Sequence, residues 1–343
     1  MRNPGLLMIG NYLSQPKHNR NIWNDLAERL AMNGWEVITT SRYENKALRL
    51  LDMLSKVLTQ RKKYALAQID VFSGTAFIFA EASAKLLSWL KKPIVLNLHG
   101  GGLPEFAQNH PGRVKALLHR ARLVVTPSPF IQKGLSNFRQ DIQVIPNPID
   151  ISSTIFRERP QIHPRLIWVR AFHRVYNPVL AVKVLKKLSI DYPDVHLTMI
   201  GPDKGDGSLQ LVMQKAQSLG VYERLTIIPG LSHDAIAGWM NQADIFLNTT
   251  NYDVAPRSVL EAMANGLCIV STNVGGMPWL VADRLEGLLV PPDDPEAMTA
   301  AVVRILEDPK LAACLNAAAR RKAESLDWPA IIPIWNTNLR SLL

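Results

Sequence analysis

Three stretches of the 343-residue sequence hold residues whose types and spacing could do chemistry. The richest runs from Asn251 to Gly266 and contains Asp253, Pro256, Arg257, Ser258 and Glu261. Pro256 suits the first turn of a helix, and Gly266 suits the cap after its last turn. The leading N–H groups and dipole of that helix, around Pro256, Arg257 and Ser258, would favour a diphosphate. Glu261 lies one turn further on and is followed by Ala262-Met263-Ala264, a run too apolar for an exposed helix. A carboxylate on a largely buried helix needs a partner, and a ribose diol is one. The second stretch begins at Arg170 and runs through His173, Arg174, Val175 and Tyr176 to Asn177-Pro178. An arginine at a strand end, before a polar loop and a helix start, offers fixed positive charge to a phosphate. The third is His99-Gly100-Gly101-Gly102, where glycines let a ligand approach the backbone. A strand-end histidine can equally be structural, and both readings of His99 stay open on these residues alone.

The elements that must carry these stretches alternate in type. Short β-branched runs are separated by segments of helical period throughout, the pattern of parallel α/β structure. Strands are expected near Leu6–Gly10, Glu36–Ser41, Gln68–Phe72, Ile94–His99, Leu123–Ser128 and Gln143–Pro146. A second set is expected near Leu166–Arg170, His196–Gly201, Leu225–Pro229, Ile245–Thr249, Cys268–Thr272 and Gly287–Val290. The turn-rich region from Pro146-Asn147-Pro148 to Pro164 separates the sets and reads as a linker. The expected organisation is a first Rossmann-like domain over residues 1–160, a second over 161–326, and a last helix over 327–343 that begins near Trp328-Pro329. Ligands bind beyond the carboxyl ends of parallel strands, so two such sheets should face a central cleft. Each of the three stretches follows a predicted strand.

The sequence resembles the family 4 glycosyltransferases, retaining enzymes of the GT-B architecture. That family carries two acidic residues a fixed distance apart, then Ala-Met-Ala and a glycine, matched here by Asp253, Glu261, Ala262-Met263-Ala264 and Gly266. The resemblance covers nearly the whole chain, including the final tryptophan-containing helix, which in the family crosses back to the first domain, and it implies that residues 1–160 bind the acceptor and residues 161–326 the nucleotide sugar. It implies that His99 is the catalytic-site histidine and that Arg170 binds the donor diphosphate. It implies that Asp253 lies by the donor sugar and that Glu261 holds the ribose. Gly100 and Gly101, with Arg174 and the residues Pro256, Arg257 and Ser258, complete the expected donor site. The chain departs from the family where a lysine and a glycine usually follow the arginine, since Val175 and Tyr176 stand there. It looks like a subgroup that combines a Tyr176-Asn177-Pro178 loop with an Asp253-x-x-Pro256 motif, and His173 or Arg174 could supply the missing charge. Lys17, His18 or Asn19 could line the cleft after the first strand, or form a plain basic loop.

The resemblance implies transfer of a sugar from a nucleoside diphosphate to a glycan or lipid-linked acceptor, in surface polysaccharide or glycolipid synthesis. There is no Asp-x-Asp cation motif, so neither a metal nor a cofactor is expected. Two other readings compete: a nucleotide-sugar epimerase of the same architecture, and a non-catalytic binding subunit. A dinucleotide dehydrogenase is disfavoured, because no Gly-x-Gly-x-x-Gly follows the first strand of either half.

Composition is that of an ordinary globular protein, with 47% hydrophobic and 20% charged residues. Cys268 and Cys314 are the only cysteines, too few for a zinc site and suited to a reducing cytoplasm. No secretory signal or spanning run is legible. The net charge of +10 is uneven: residues 1–163 hold 22 Lys and Arg against 11 Asp and Glu, and residues 164–343 hold 17 against 18. Such asymmetry points to a polyanionic partner. Basic amphipathic segments at Leu48–Tyr64, Leu86–Lys92 and Arg113–Arg122 make an anionic membrane surface the expected one, rather than nucleic acid. The expected location is therefore cytoplasmic and peripheral on the inner face of a membrane.

Overall fold

The computed structural model describes residues 4–12, 22–41 and 43–343. Lys17, His18 and Asn19 lie outside the described residues. The chain forms two compact units, Met1–Pro148 with Trp328–Leu343, and Ile149–Asp327.

The first unit is built on β1 (Gly5–Ile9), β2 (Glu36–Thr40), β3 (Leu66–Val71), β4 (Ile94–Leu98), β5 (Leu123–Thr126) and β6 (Gln143–Val144). All pair in parallel in the order β2-β1-β3-β4-β5-β6. β1, β3 and β4 are buried along their full length, as strands covered on both faces must be. Their apolar runs explain why they form. The polar exceptions Gln68, Asp70 and Asn97 are buried too. The strand order reverses direction between β1 and β3, which opens a crevice at the carboxyl ends of those two strands.

Among the described residues the first unit's helices up to Pro148 are α1 (Ile22–Met32), α2 (Lys46–Thr59), α3 (Phe77–Trp89), α4 (Leu103–Asn109), α5 (Pro111–Leu118) and α6 (Pro129–Leu135). Asn45 starts α2 by accepting the N–H groups of Ala47 and Leu48. α2 buries Met53 and Val57 but leaves Leu48, Leu51 and Leu58 exposed. α5 turns Val114, Leu117 and Leu118 inward. The Arg113–Arg122 segment therefore uses its apolar positions in the core.

The second unit holds β7 (Arg165–Val169), α7 (Pro178–Asp191), β8 (His196–Ile200), α8 (Ser208–Ser218), β9 (Leu225–Ile228), α9 (His233–Gln242), β10 (Ile245–Asn248), α10 (Arg257–Ala264), β11 (Cys268–Thr272), α11 (Met277–Leu280), β12 (Leu288–Val290), α12 (Pro295–Glu307) and α13 (Pro309–Ser325). Its sheet is parallel in the order β12-β11-β10-β7-β8-β9. The order turns between β7 and β10. Trp168, Phe172, Leu185, Met199 and Val302 are among the side chains that fill its core. Cys268 is buried there, and burial pushes its thiol up to about 12, while Cys314 is exposed.

The boundary differs from the sequence reading, which kept residues up to 160 in the first domain. Residues 149–160 pack on the second unit instead. The Ile149 N–H donates to the Leu326 carbonyl at 2.9 Å. Arg159 is buried, lies 3.1 Å from Asp244, and donates to the Asn265 and Gly266 carbonyls at the end of α10. Arg157 also pairs with Asp244. This clamp explains why a turn-rich stretch is held tightly.

The last helix, α14 (Trp328–Arg340), belongs to the first unit. There Trp35 Nε1 donates to Asn336 at 2.8 Å, and the Arg29 guanidinium lies 4.8 Å from the Trp328 ring centre. Among the described residues no helix is long and apolar enough to cross a membrane.

Candidate functional site

In the second unit the candidate residues gather at the carboxyl ends of β7 and β10, where the strand order turns. Open α/β sheets bind ligands at such switch points. Arg170 directly follows β7, and its N–H donates to the Ile200 carbonyl at 3.0 Å. A Cβ on Gly201 would lie 1.7 Å from the Arg170 carbonyl oxygen, so β8 can end this close only with glycine. The Arg170 guanidinium pairs with the Asp253 carboxylate and sits 4.6 Å from the Tyr176 ring centre. Burial lowers its affinity for its proton, against the opposing pull of the Tyr176 and Glu261 charges. Arginine stays protonated at such a site, so this is a fixed cation in a largely enclosed place.

The loop after Arg170 is stitched to the loop after β10. His173 caps a 3-10 turn over Arg174–Tyr176, its ring Nδ1 accepting the Val175 N–H at 3.2 Å. The Asn251 N–H donates to the Val175 carbonyl at 2.8 Å, and Thr249 Oγ1 donates to the Tyr176 carbonyl at 2.8 Å. Position 175 thus contributes its backbone, which any residue type can supply. His173 faces Asp206 at 3.7 Å, and the Arg174 N–H also donates to Asp206 at 2.8 Å. The Arg174 N–H foremost, then Ser208 and least of all His173, hold the Asp206 carboxyl down at about 2. His173 therefore serves the loop's shape, and Arg174 is exposed.

Asp253 is held by the glycine turn that follows β11. Cβ atoms on Gly275 and Gly276 would fall 2.1 Å from the Asp253 carbonyl and 1.9 Å from the Val254 carbonyl. The Gly276 N–H donates to the Asp253 carbonyl at 2.8 Å. Pro256 is the residue that caps α10, one position ahead of its first helical residue. Gly266 follows the far end with φ of +74°, the conformation expected of a capping glycine. Glu261 is buried, and its carboxylate meets Arg257 Nε at 2.8 Å. The partner in the fold is thus the guanidinium one turn back. Ser258 is also buried, and its hydroxyl finds no hydrogen-bond partner among the described residues.

In the first unit His99 directly follows β4, buried, with Nε2 3.2 Å from Asp70 Oδ1. Facing a carboxylate, Nε2 carries the proton and Nδ1 is the accepting nitrogen. The Trp23 ring lies 3.9 Å away and the Phe72 ring 5.3 Å, centre to centre. Gly100 has φ of +80°, which turns the chain sharply after the strand, and Gly101 and Gly102 lead into α4. Sequence reasoning missed Asp70, and it named Tyr176 as part of a loop without its packing against Arg170. The available signal for Asp70 was a carboxylate at the end of a strand otherwise fit for burial on both faces. Tyr176 offered none beyond its place in the loop. Among the described residues no group of three His, Cys, Asp or Glu side chains is placed to hold a metal ion.

Two Rossmann-like sheets with charged loops beyond their strands define a class, and solved structures specify it. The fold matches sucrose-phosphate synthase from Thermosynechococcus elongatus with a TM-score of 0.81, at 18% identity over 99% of both chains. It also matches Anabaena HepE in complex with UDP and glucose with a TM-score of 0.77, at 18% identity over 98% of this chain and 100% of that one. The fold is that of the GT-B glycosyltransferases. The model for glycosyl transferases group 1 matches residues 155–322, and that for glycosyltransferase family 4 matches residues 20–153. The chain belongs to the family 4 glycosyltransferases. Its relatives include D-inositol 3-phosphate glycosyltransferase of Mycolicibacterium gilvum, 27% identical over 59% of this chain and 48% of that one. Phosphatidyl-myo-inositol mannosyltransferase of Mycolicibacterium smegmatis is 28% identical over 56% of this chain and 50% of that one. The match spans about half the length of these relatives.

Proposed function

We propose that the protein is a retaining, metal-independent glycosyltransferase that moves a sugar from a nucleoside diphosphate donor onto a hydroxyl of a glycan or lipid-linked acceptor. The observation that carries this is the Arg170–Asp253 pair, packed against Tyr176 at the switch point of the second sheet and followed by α10. The HepE complexes with UDP and UDP-glucose support a uracil nucleotide as donor.

As the glycosidic bond breaks, negative charge grows on the departing diphosphate. Fixed cations and oriented N–H groups stabilise such charge without reorganising. Arg170, the first N–H groups of α10 and the Ser258 hydroxyl take that role, while Glu261 accepts from the ribose hydroxyls. Asp253 orients the sugar and holds Arg170 in place. The C1–oxygen bond to the diphosphate breaks, and the acceptor oxygen bonds to C1 on the same face. The acceptor's proton passes to the departing phosphate oxygen. In the first unit, Asp70 fixes the His99 ring at the end of β4. The charge excess of the first half supports a peripheral position at the inner, anionic face of a membrane as part of this reading.

A thermal-shift screen of nucleotide sugars tests the reading. A bound donor at 100 times its Kd adds about 2.7 kcal/mol of stability. UDP-glucose, or another nucleotide sugar, should raise the Tm, and transfer should survive EDTA. No shift with any of them would refute the donor site, and loss of activity in EDTA would refute metal independence.

A further inference from the structure

The amino-terminal end of the second sheet holds a cavity of about 400 Å³, between β7, β8, β9 and the end of α9. That size is within the range of small-ligand pockets. A parallel sheet covered on both faces reads as apolar throughout. Side chains alternate along a strand, and β8 keeps that rule on one face, where Leu197 and Met199 are fully buried in the core. On the other face it presents His196 and Thr198, and β9 adds Thr226, in register with Thr198. All three polar side chains are half-buried, as is Trp239 of α9 across the cavity. Leu166 and Ala243 are the buried members of the lining, while Arg165, Asp194 and Gln242 stand exposed at its rim.

The chemistry of this lining selects its ligand. His196 Nε2 and Thr226 Oγ1 lie 2.8 Å apart and hold each other in place. Burial foremost, and then the Arg224 charge, lower the proton affinity of His196, so its ring is neutral near pH 7. Arg224 itself is engaged by the Pro193 carbonyl. At the rim, Arg165 and Asp194 are of opposite sign, so neither an anion nor a cation meets an excess of opposite charge. Among the described residues the side chains of Arg165, Asp194, Thr198, Trp239 and Gln242 make no hydrogen bond or ion pair. They offer donors and acceptors in mixture beside one large aromatic ring. A ligand matched to that lining has an apolar face edged by hydroxyls, each both donor and acceptor. A pyranose ring has that form.

We infer that this pocket is a non-catalytic saccharide site, which binds a neutral sugar by stacking on Trp239 and by hydroxyl contacts to Thr198, Gln242 and the His196–Thr226 pair. Arg170 and Asp253 lie past the other ends of the strands, and Arg165 and Arg170 are about 16 Å apart along β7. A sugar held here is out of reach of the candidate donor residues, so the site retains a glycan and exchanges no bond. The inference goes beyond the proposed function and does not depend on it.

The probes are maltose, cellobiose, lactose and mannobiose, titrated into the full chain and followed by saturation-transfer NMR. Saturable binding of at least one is expected, and it should persist with UDP-glucose at saturation. Trp239→Ala should weaken that binding by at least about tenfold, and Trp239→Phe by a smaller factor. If Trp239→Ala does not fold, as judged by circular dichroism, the paired variant Thr198→Val, Gln242→Ala removes two hydroxyl partners instead and should weaken binding. Failure of all four disaccharides to saturate, or binding indifferent to the variant that folds, would overturn the inference. So would tighter binding of D-glucuronate than of D-glucose, which would make the ligand an anion. Release of the disaccharide by UDP-glucose would also overturn it, since the sugar would then be sitting in the donor site. Absence of UDP-glucose binding alongside disaccharide binding would refute the donor site and leave this one standing.

Discussion

Each candidate residue in the second unit already has a partner or a defined orphan group, and this sets what a substitution should do. Glu261 faces Arg257, so Glu261→Ala releases a cation at the start of α10 and, on the proposed function, removes an acceptor for the ribose. Losing a hydrogen bond to a charged acceptor costs about 1.5–3 kcal/mol. Calorimetry should show UDP-glucose affinity reduced by that amount while the Tm changes little. An unchanged affinity would remove Glu261 from the site. On the proposed mechanism, Arg170 faces charge that is greater in the transition state than in the bound donor. Arg170→Ala should therefore lower kcat by a larger factor than it raises the donor Kd. Steady-state kinetics showing a raised KM alone would contradict this. The two thiols give a simpler test of residue environment. With Cys268 buried and its thiol pushed up to about 12, a thiol-reactive dye should label one cysteine, Cys314, in the native protein and two after denaturation. Two fast native equivalents would show the β11 core to be open.

At the level of elements, the glycine turn after β11 and the arginine clamp before β7 do the positioning. Gly276→Ala would put a methyl 1.9 Å from the Val254 carbonyl, so the loop bearing Asp253 must move. Turnover should collapse while the rest of the sheet still forms. Near-normal kcat with unchanged circular dichroism would show that the loop's position does not matter. All twelve strands of the described residues, and the placement of Arg170 and His99 directly after β7 and β4 and of Asp253 in the loop after β10, were legible from apolar runs and punctuation. Strand order was not, because nothing local in the sequence says that β7 pairs with β10, Leu166 with Ile245 and Ile167 with Phe246. The switch points follow from that order alone. For the same reason Asp70 went unread: its meaning comes from β3 lying next to β4, which brings it to His99. The linker was legible as punctuation, but what it packs against was not: Arg159 donates to carbonyls at the end of α10 and to Asp244.

At the scale of the molecule, the charge excess of the first half needs a physical purpose, because self-repulsion among like charges works against folding. Of the three basic amphipathic segments, the structure leaves two with apolar residues facing outward. Leu48 and Leu51 on α2 are 50% and 63% exposed, and Trp89 at the end of α3 is 74% exposed. Basic residues flank them: Arg61, Lys62 and Lys63 follow α2, and Lys91 and Lys92 follow α3. Exposed leucine and tryptophan beside lysine and arginine suit the headgroup region of an anionic leaflet. Each lysine or arginine near such a surface is worth about 1 kcal/mol, so five flanking cations outweigh any single apolar insertion at low salt and fade at high salt. The protein should therefore float with vesicles containing phosphatidylserine, fail to float with pure phosphatidylcholine, and detach as salt is raised. The paired variant Leu48→Asp, Leu51→Asp should weaken flotation without lowering the Tm, since both side chains already face solvent. If anionic vesicles do not carry the protein at low salt, the basic half has no membrane role, and a soluble acidic glycan becomes the acceptor to pursue.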